Sequence, residues 1–146
     1  MGAHGVAVLQ PLTDRGALGI ALHPAMTFVG SEDDTARLTN ACFAITAADA
    51  VGEAIASSLV LEMGGDPVRI AEADRTLYHA ALAHGANHLT TITGQALQLL
   101  GELGREQPER VLGPLARATL DNALSAGESA LTGPVARGDA GDHHDP

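Results

Sequence analysis

Apolar positions along this chain follow two periods, and the change from one to the other falls near Ala71. Before that point the apolar runs are short and turn residues interrupt them. Val8, Leu9 and Leu12 make a brief helical pattern that Gly16 can cap. Ala17 to Leu22 (ALGIAL) reads as a buried strand, Pro24 to Asp34 as a loop, and Ala41 to Thr46 (ACFAIT) as a second strand. Thr46 stands three residues before Asp49, similar to a capping box opening a helix. Val51, Ile55, Leu59 and Met63 then recur every four residues, an apolar stripe that predicts the buried face of that helix. Gly64 and Gly65 end it, and Asp66-Pro67 turns the chain into a third strand, Val68 to Ile70.

Helical spacing dominates from there on. Asp74 to Leu103 contains no proline, and Gly85, Gly94 and Gly101 weaken it by about 1 kcal/mol each relative to alanine. Residues 104–107 form a linker, and Pro108 suits a first helical turn. Pro114 is expected to separate a short helix from a second one over Leu115 to Ala126. Leu131 to Asp139 reads as a glycine–proline loop. Residues 141–146 (GDHHDP) carry no core-forming side chain and are expected to be disordered. The fold class is therefore mostly α: an α/β segment over residues 1–70, a helical domain over 71–140, and a tail over 141–146.

Composition narrows the partners. Of 146 residues, 45% are hydrophobic but only 2% aromatic, with one Tyr, two Phe and no Trp. Such a core is built from Ala, Leu, Val and Ile, and each contact buries little area. A formal charge of -10 argues against nucleic acid and against anionic membrane surfaces. Cys42 is the only cysteine, so neither an internal disulfide nor a cysteine metal framework is available. No apolar run reaches the roughly 18 residues of a membrane span, and the first residues lack the pattern of a secretion signal. A cytoplasmic location is expected.

The glycine loops G-x-G-x-x-G and G-x-x-x-x-G-K-[ST], whose backbone N–H groups approach phosphates, do not occur. G-x-S-x-G and H-E-x-x-H are absent as well. Three segments carry candidate chemistry. In Leu22-His23-Pro24-Ala25-Met26-Thr27-Phe28, His23 stands at the carboxyl end of a strand, where α/β sheets gather ligands. The plain alternative is a turn whose imidazole bonds a nearby carbonyl. Tyr78 to His88 (YHAALAHGANH) sets Tyr78, His79, His84, Asn87 and His88 among alanines early on the long helix. At about 100° per residue His84 and His88 share a face and His79 lies nearly opposite His88, so three histidines cannot share one metal. The segment is either a satisfied polar stripe or a patch facing a cleft. In Thr132 to Asp139 (TGPVARGD), glycine and proline shape a loop, and Arg137 offers a planar fork suited to carboxylate or phosphate. Asp139 can instead hold Arg137 within the loop.

LHPAMTF, YHAALAHGANH and ALTGPVARGD, in this order, resemble the Rossmann-like oxidoreductases that carry domain of unknown function 2520 (DUF2520). The likeness covers roughly residues 2–140. That family is similar in build to pyrroline-carboxylate reductases, ketopantoate reductases and 6-phosphogluconate dehydrogenases. The resemblance implies a Rossmann-like remnant followed by a helical, dimerising C-terminal domain, with NADP or NAD as the family's cofactor. It implies His79, His84 and Asn87 as candidate catalytic residues, and His23, Tyr78, Thr132 and Arg137 as candidate substrate contacts. The helix lacks the lysine that several relatives use, and the glycine fingerprint is missing. This chain alone is therefore expected to bind no dinucleotide, and a Rossmann partner and a homodimer are the expected associations. The alternative is a non-catalytic helical interaction module.

Overall fold

A computed structural model describes residues 2–104 and 106–132. The chain forms two compact units, residues 1–88 and 89–146, and the division falls inside the longest helix. The first unit begins with a 3-10 turn (Ala7–Leu9) and α1 (Gln10–Thr13), followed by β1 (Ile20–Pro24) and α2 (Asp33–Leu38). Next come β2 (Cys42–Ala47), α3 (Ala50–Glu62), β3 (Asp66–Arg69) and a 3-10 turn (Glu72–Asp74). That turn opens α4 (Arg75–Glu102), which runs on into the second unit. The second unit continues with α5 (Pro108–Ala126) and a last 3-10 turn, Gly127–Ala130. The mostly helical class with a small α/β segment, expected from the patterning, is what the structure shows. No helix among the described residues is long and apolar enough to cross a membrane. The expected loop from Gly133 and the expected tail at 141–146 lie outside the described residues.

The three strands lie in the order β1-β2-β3, with β1 antiparallel to β2 and β2 parallel to β3 through the α3 crossover. Strand alternation sorts the side chains onto two faces. Phe43 and Ile45 of β2 pack with Ala56 and Val60 of α3, and Ile20 and Leu22 of β1 join them. Ala44 and His23, which are paired in register, therefore belong to the opposite face.

Several expectations need correction. The first strand starts at Ile20 and extends through Pro24, which an edge strand tolerates because a missing N–H can face outward. The expected loop before Asp34 ends early, at α2. The buried Asp34 carboxylate organises that entry by accepting from Val29 N (3.0 Å), Gly30 N (2.8 Å) and Ser31 N (3.3 Å). Burial pushes its carboxyl up, but the bonds from Gly30 and Val29 and those from Ser31 outweigh that and hold it below its ordinary value.

Asp49, not Thr46, caps α3. Its carboxylate accepts from Gly52 N at 2.8 Å, while Thr46 Oγ1 donates to Ile70 O at 2.6 Å and ties β2 to the chain after β3. The stripe Val51, Ile55, Leu59 and Met63 is not the buried face: these residues are 63, 41, 44 and 47% exposed. Gly52, Ala56 and Val60, also four apart, face the sheet instead. Close approach selects them, because a Cβ at Gly52 would lie only 3.0 Å from Ala47 Cβ. Pro114 does not divide the last helices either. It sits inside a continuous α5, where it deprives the Arg110 carbonyl of its i+4 donor without ending the helix.

Candidate functional site

The face of the sheet opposite the α3 core carries the site. The alternation of Ile20-Ala21-Leu22-His23 sends Leu22 into the core and His23 the other way, toward the first turns of α4. His23 Nδ1 lies 3.1 Å from Tyr78 Oη, and the two rings meet edge to face at 5.7 Å. His79 stands edge-on to His23 at 6.1 Å. The backbone of Gly2 closes over this pair: a Cβ there would fall 2.6 Å from His79 Nδ1 and 2.8 Å from His23 Nε2. The opening segment is held down by Glu72, whose carboxylate accepts from Val6 N at 2.7 Å and Ala7 N at 3.2 Å.

Beneath the pair lies Arg75, one helical turn before His79 and only 1% exposed. Its Nη1 donates one long bond, 3.5 Å, to Ala44 O, while its Nε and Nη2 and the His79 Nδ1 are buried without a partner. Burial lowers the proton affinity of His23, and the nearby Arg75 charge and His79 lower it further, so its pKa falls below 6.5. Burial raises the Tyr78 phenol above its ordinary 10.0, against the pull of Arg75. With a protonated phenol beside a neutral imidazole, we assign the bond as Tyr78 O–H donating to Nδ1, which leaves the ring proton on His23 Nε2.

The direction of the His23 shift gives a testable pH dependence. A histidine held neutral contributes stability that is present above its unfolded pKa of 6.5 and lost as pH falls through 6.5 toward the lowered folded value. His23 is expected to titrate below 6.5 by NMR, and the melting temperature to fall below about pH 6 less in His23→Gln than in the parent. A titration midpoint at or above 6.5 would contradict the arrangement.

A cleft of about 450 Å³ opens from this cluster, lined by His23, Ala25, Met26 and Thr27 on one side and by His79, Leu82, Ala83, Ala86 and Asn87 of α4 on the other. Helical geometry makes the α4 wall. Arg75, His79, Ala83 and Asn87 follow at intervals of four and form one ladder, so Asn87 stands about 12 Å from His79 along the axis. His84 falls on the far side of α4, where its ring lies 4.2 Å from that of His88 and its carbonyl meets His88 Nδ1 at 2.8 Å. The structure thus sets His23, His79 and Asn87 along one cleft, with Tyr78 bonded to His23, and leaves His84 out of it. Thr132 is exposed in the second unit, and Arg137 lies outside the described residues. Arg75 escaped the sequence reading, although its place four residues before His79 is a signal that could have found it. Among the described residues no three His, Cys, Asp or Glu side chains gather to hold a metal.

The described residues do not fit a dinucleotide. The strand-to-helix turn between β2 and α3 is the place where a parallel βαβ unit would cradle a pyrophosphate. Here the Asp49 carboxylate already occupies the helix N-terminus. The cavity beside it is lined by Asp49 and Glu53, with Arg69 engaged by Glu53 at 3.2 Å. Two carboxylates at that position repel phosphate.

The family model described as "Domain of unknown function (DUF2520)" matches residues 41–142. No curated protein matches the chain. Solved structures share its fold, two among them as follows. Protein TM1727 from Thermotoga maritima is 23% identical with a TM-score of 0.73, over 95% of this chain and 53% of that one. The Bacteroides fragilis protein named "putative NADP oxidoreductase BF3122" is 20% identical with a TM-score of 0.76, over 95% of this chain and 51% of that one. The chain spans about half the length of these relatives.

Proposed function

The chain belongs to the DUF2520 family, and on that premise we propose that it is the C-terminal, substrate-side part of an NAD(P)-dependent oxidoreductase. One observation carries the reading: the cleft lined by His23 and His79 at the carboxyl end of β1, with Tyr78 bonded to His23 behind it. The name of the Bacteroides fragilis relative supports NADP as the cofactor type. That cofactor supplies hydride chemistry when bound, and the reading assigns its cradle to a Rossmann partner. The chain's own residues bind and orient a small carbonyl or imine substrate. His79 is the candidate proton donor, and the Tyr78–His23 pair shapes the inner end of the cleft. Asn87 lies farther along as a candidate contact.

Two measurements test this. The isolated chain is expected to bind no NADPH at about 100 μM, since binding at micromolar affinity needs backbone donors that the β2–α3 turn does not offer. The chain is then fused to the half of the Bacteroides fragilis relative that it does not cover. The chimera is expected to oxidise NADPH with a small ketone or imine, and His79→Ala to slow turnover by about 10²-fold or more. Unchanged turnover in both His79→Ala and Tyr78→Phe, in a folded chimera, would sink the reading.

A second reading, a helical association module, has its own observation. In the second unit Leu99, Leu103, Val111, Leu115 and Leu124 are 63, 72, 56, 65 and 78% exposed, which is a large apolar surface for so short a stretch. The two readings are compatible, because a substrate-side domain can also dimerise.

A further inference from the structure

Resting on the proposed reading, which it deepens by naming how the site is controlled, we propose that residues 2–7 are a cover over the histidine pair. Glu72 latches it, and it must lift before His79 Nδ1 and His23 Nε2 can meet a substrate. The Gly2 backbone lies against both nitrogens, so close that an added Cβ would fall 2.6 Å from the first and 2.8 Å from the second. Both rings border the cleft, yet these two nitrogens are turned to the opening segment. A proton passes only between groups within hydrogen-bond reach, and here Gly2 stands where the substrate atom would have to be.

The cover is held at two points rather than packed down along its length. One point is Gly2 on the imidazoles. The other is the Glu72 carboxylate, which accepts from Val6 N at 2.7 Å and Ala7 N at 3.2 Å. Gly5 is needed beside that latch, because a Cβ there would collide with the carboxylate. Alongside the segment runs an apolar hollow of about 500 Å³, with His4, Val8 and Leu9 on one wall and Ile20 and Leu22 of β1 on the other. Few buried apolar contacts therefore resist lifting, and Glu72 is exposed, so water competes for both latch bonds. The covered state also carries a cost of its own. His79 Nδ1 is buried there without a partner, and lifting returns it to water.

The test is NMR on the intact chain. The Val6 and Ala7 amides are expected to be protected from hydrogen exchange in the parent and to exchange at least about tenfold faster in Glu72→Ala, with the β2 amides unchanged. In that variant the His23 titration midpoint is expected to rise toward 6.5, since burial is the main cause that lowers it. Gly2→Ala, whose methyl has no room beside the imidazoles, is expected to raise the His23 midpoint likewise while the latch amides stay protected. Parent amides at Val6 and Ala7 that exchange as freely as those of an unfolded chain would overturn the proposal. So would His23 and His79 signals that stay unmoved in both variants. In the chimera, Glu72→Ala is expected to raise kcat/KM by about threefold or more, because a larger fraction of molecules is uncovered. A lower value would place the cover in the active state and overturn the gating. Lifting as expected with no turnover in the chimera would keep the cover and lose the reductase reading. Turnover with a cover that never lifts would do the reverse.

Discussion

Phe43→Ala is expected to remove about 3–5 kcal/mol of folding stability, the cost of emptying a packed aromatic site. The first unit has little in reserve. Its buried hydrophobic residues are Phe43, Ala44, Ile45, Ala56 and Val60, and Phe43 supplies the one aromatic ring among them. The ring lies against Gly65, where an added Cβ would fall 2.6 Å from Phe43 Cε2, and it shares the α3 face of β2 with Ile45. A loss of that size is a large fraction of the total stability typical of such domains, about 5–15 kcal/mol. Urea denaturation followed by circular dichroism should show the variant largely unfolded without denaturant or with a much lower midpoint. Two companions sharpen the measurement. Phe28→Ala removes a ring that is 52% exposed and should change stability by less than about 1 kcal/mol. Gly65→Ala should cost about 1–3 kcal/mol by overpacking against the ring, and less in the Phe43→Ala background, where the vacated space admits the methyl. A Phe43→Ala midpoint indistinguishable from the parent would mean that stability resides elsewhere.

Leu115→Glu is expected to turn a dimer into a monomer. At tens of micromolar the parent should run as a dimer by light scattering, and the variant should weaken association by about 3 kcal/mol, more than a hundredfold in Kd. The motive is the apolar surface of the second unit. Ile92 and Leu99 of α4, Leu103 just after it, and Val111, Leu115 and Leu124 of α5 are all more than half exposed. Burying such side chains against a second copy gains about 1.5–3 kcal/mol for each that is fully covered. A carboxylate placed among them must be desolvated without a partner, because the patch supplies no cation of its own among these six side chains. Since Leu115 is 65% exposed within the chain, the charge should leave the fold intact, and an unchanged thermal transition in the dilute monomer would confirm it. A parent that is monomeric at these concentrations would remove the basis for the prediction.

Much of the first unit was legible because its signals are local. Gly64 ends α3 at a positive φ of 76°, as the Gly64-Gly65 pair suggested. The long proline-free run became α4 within a residue at either end. The buried face of α3 was misread for a steric reason. Both Val51-Ile55-Leu59-Met63 and Gly52-Ala56-Val60 repeat every four residues, and hydrophobicity favours the former. The sheet accepts the latter, since only small side chains let the helix axis come close. The α2 helix was hidden because its organiser, Asp34, belongs to an acidic run that looks solvated until three backbone N–H groups converge on it.

The candidate site divides along the same line. Local sequence determined which residue types were present, that His23 ends a strand, and that His79 and Asn87 lie on a helix that His84 and His88 share. Periodicity alone places residues on faces of their own element. Only the tertiary structure decided which faces meet: that β1 turns His23 toward Tyr78, that α4 presents the side bearing Arg75, His79 and Asn87, and that Gly2 lies against both imidazoles. Arg75 is the clearest case. In the sequence it is an ordinary cation at a helix start, and its meaning comes from burial against Ala44 with two nitrogens left without partners. Desolvation depends on what every neighbouring element covers, and no window of residues along the chain contains that information.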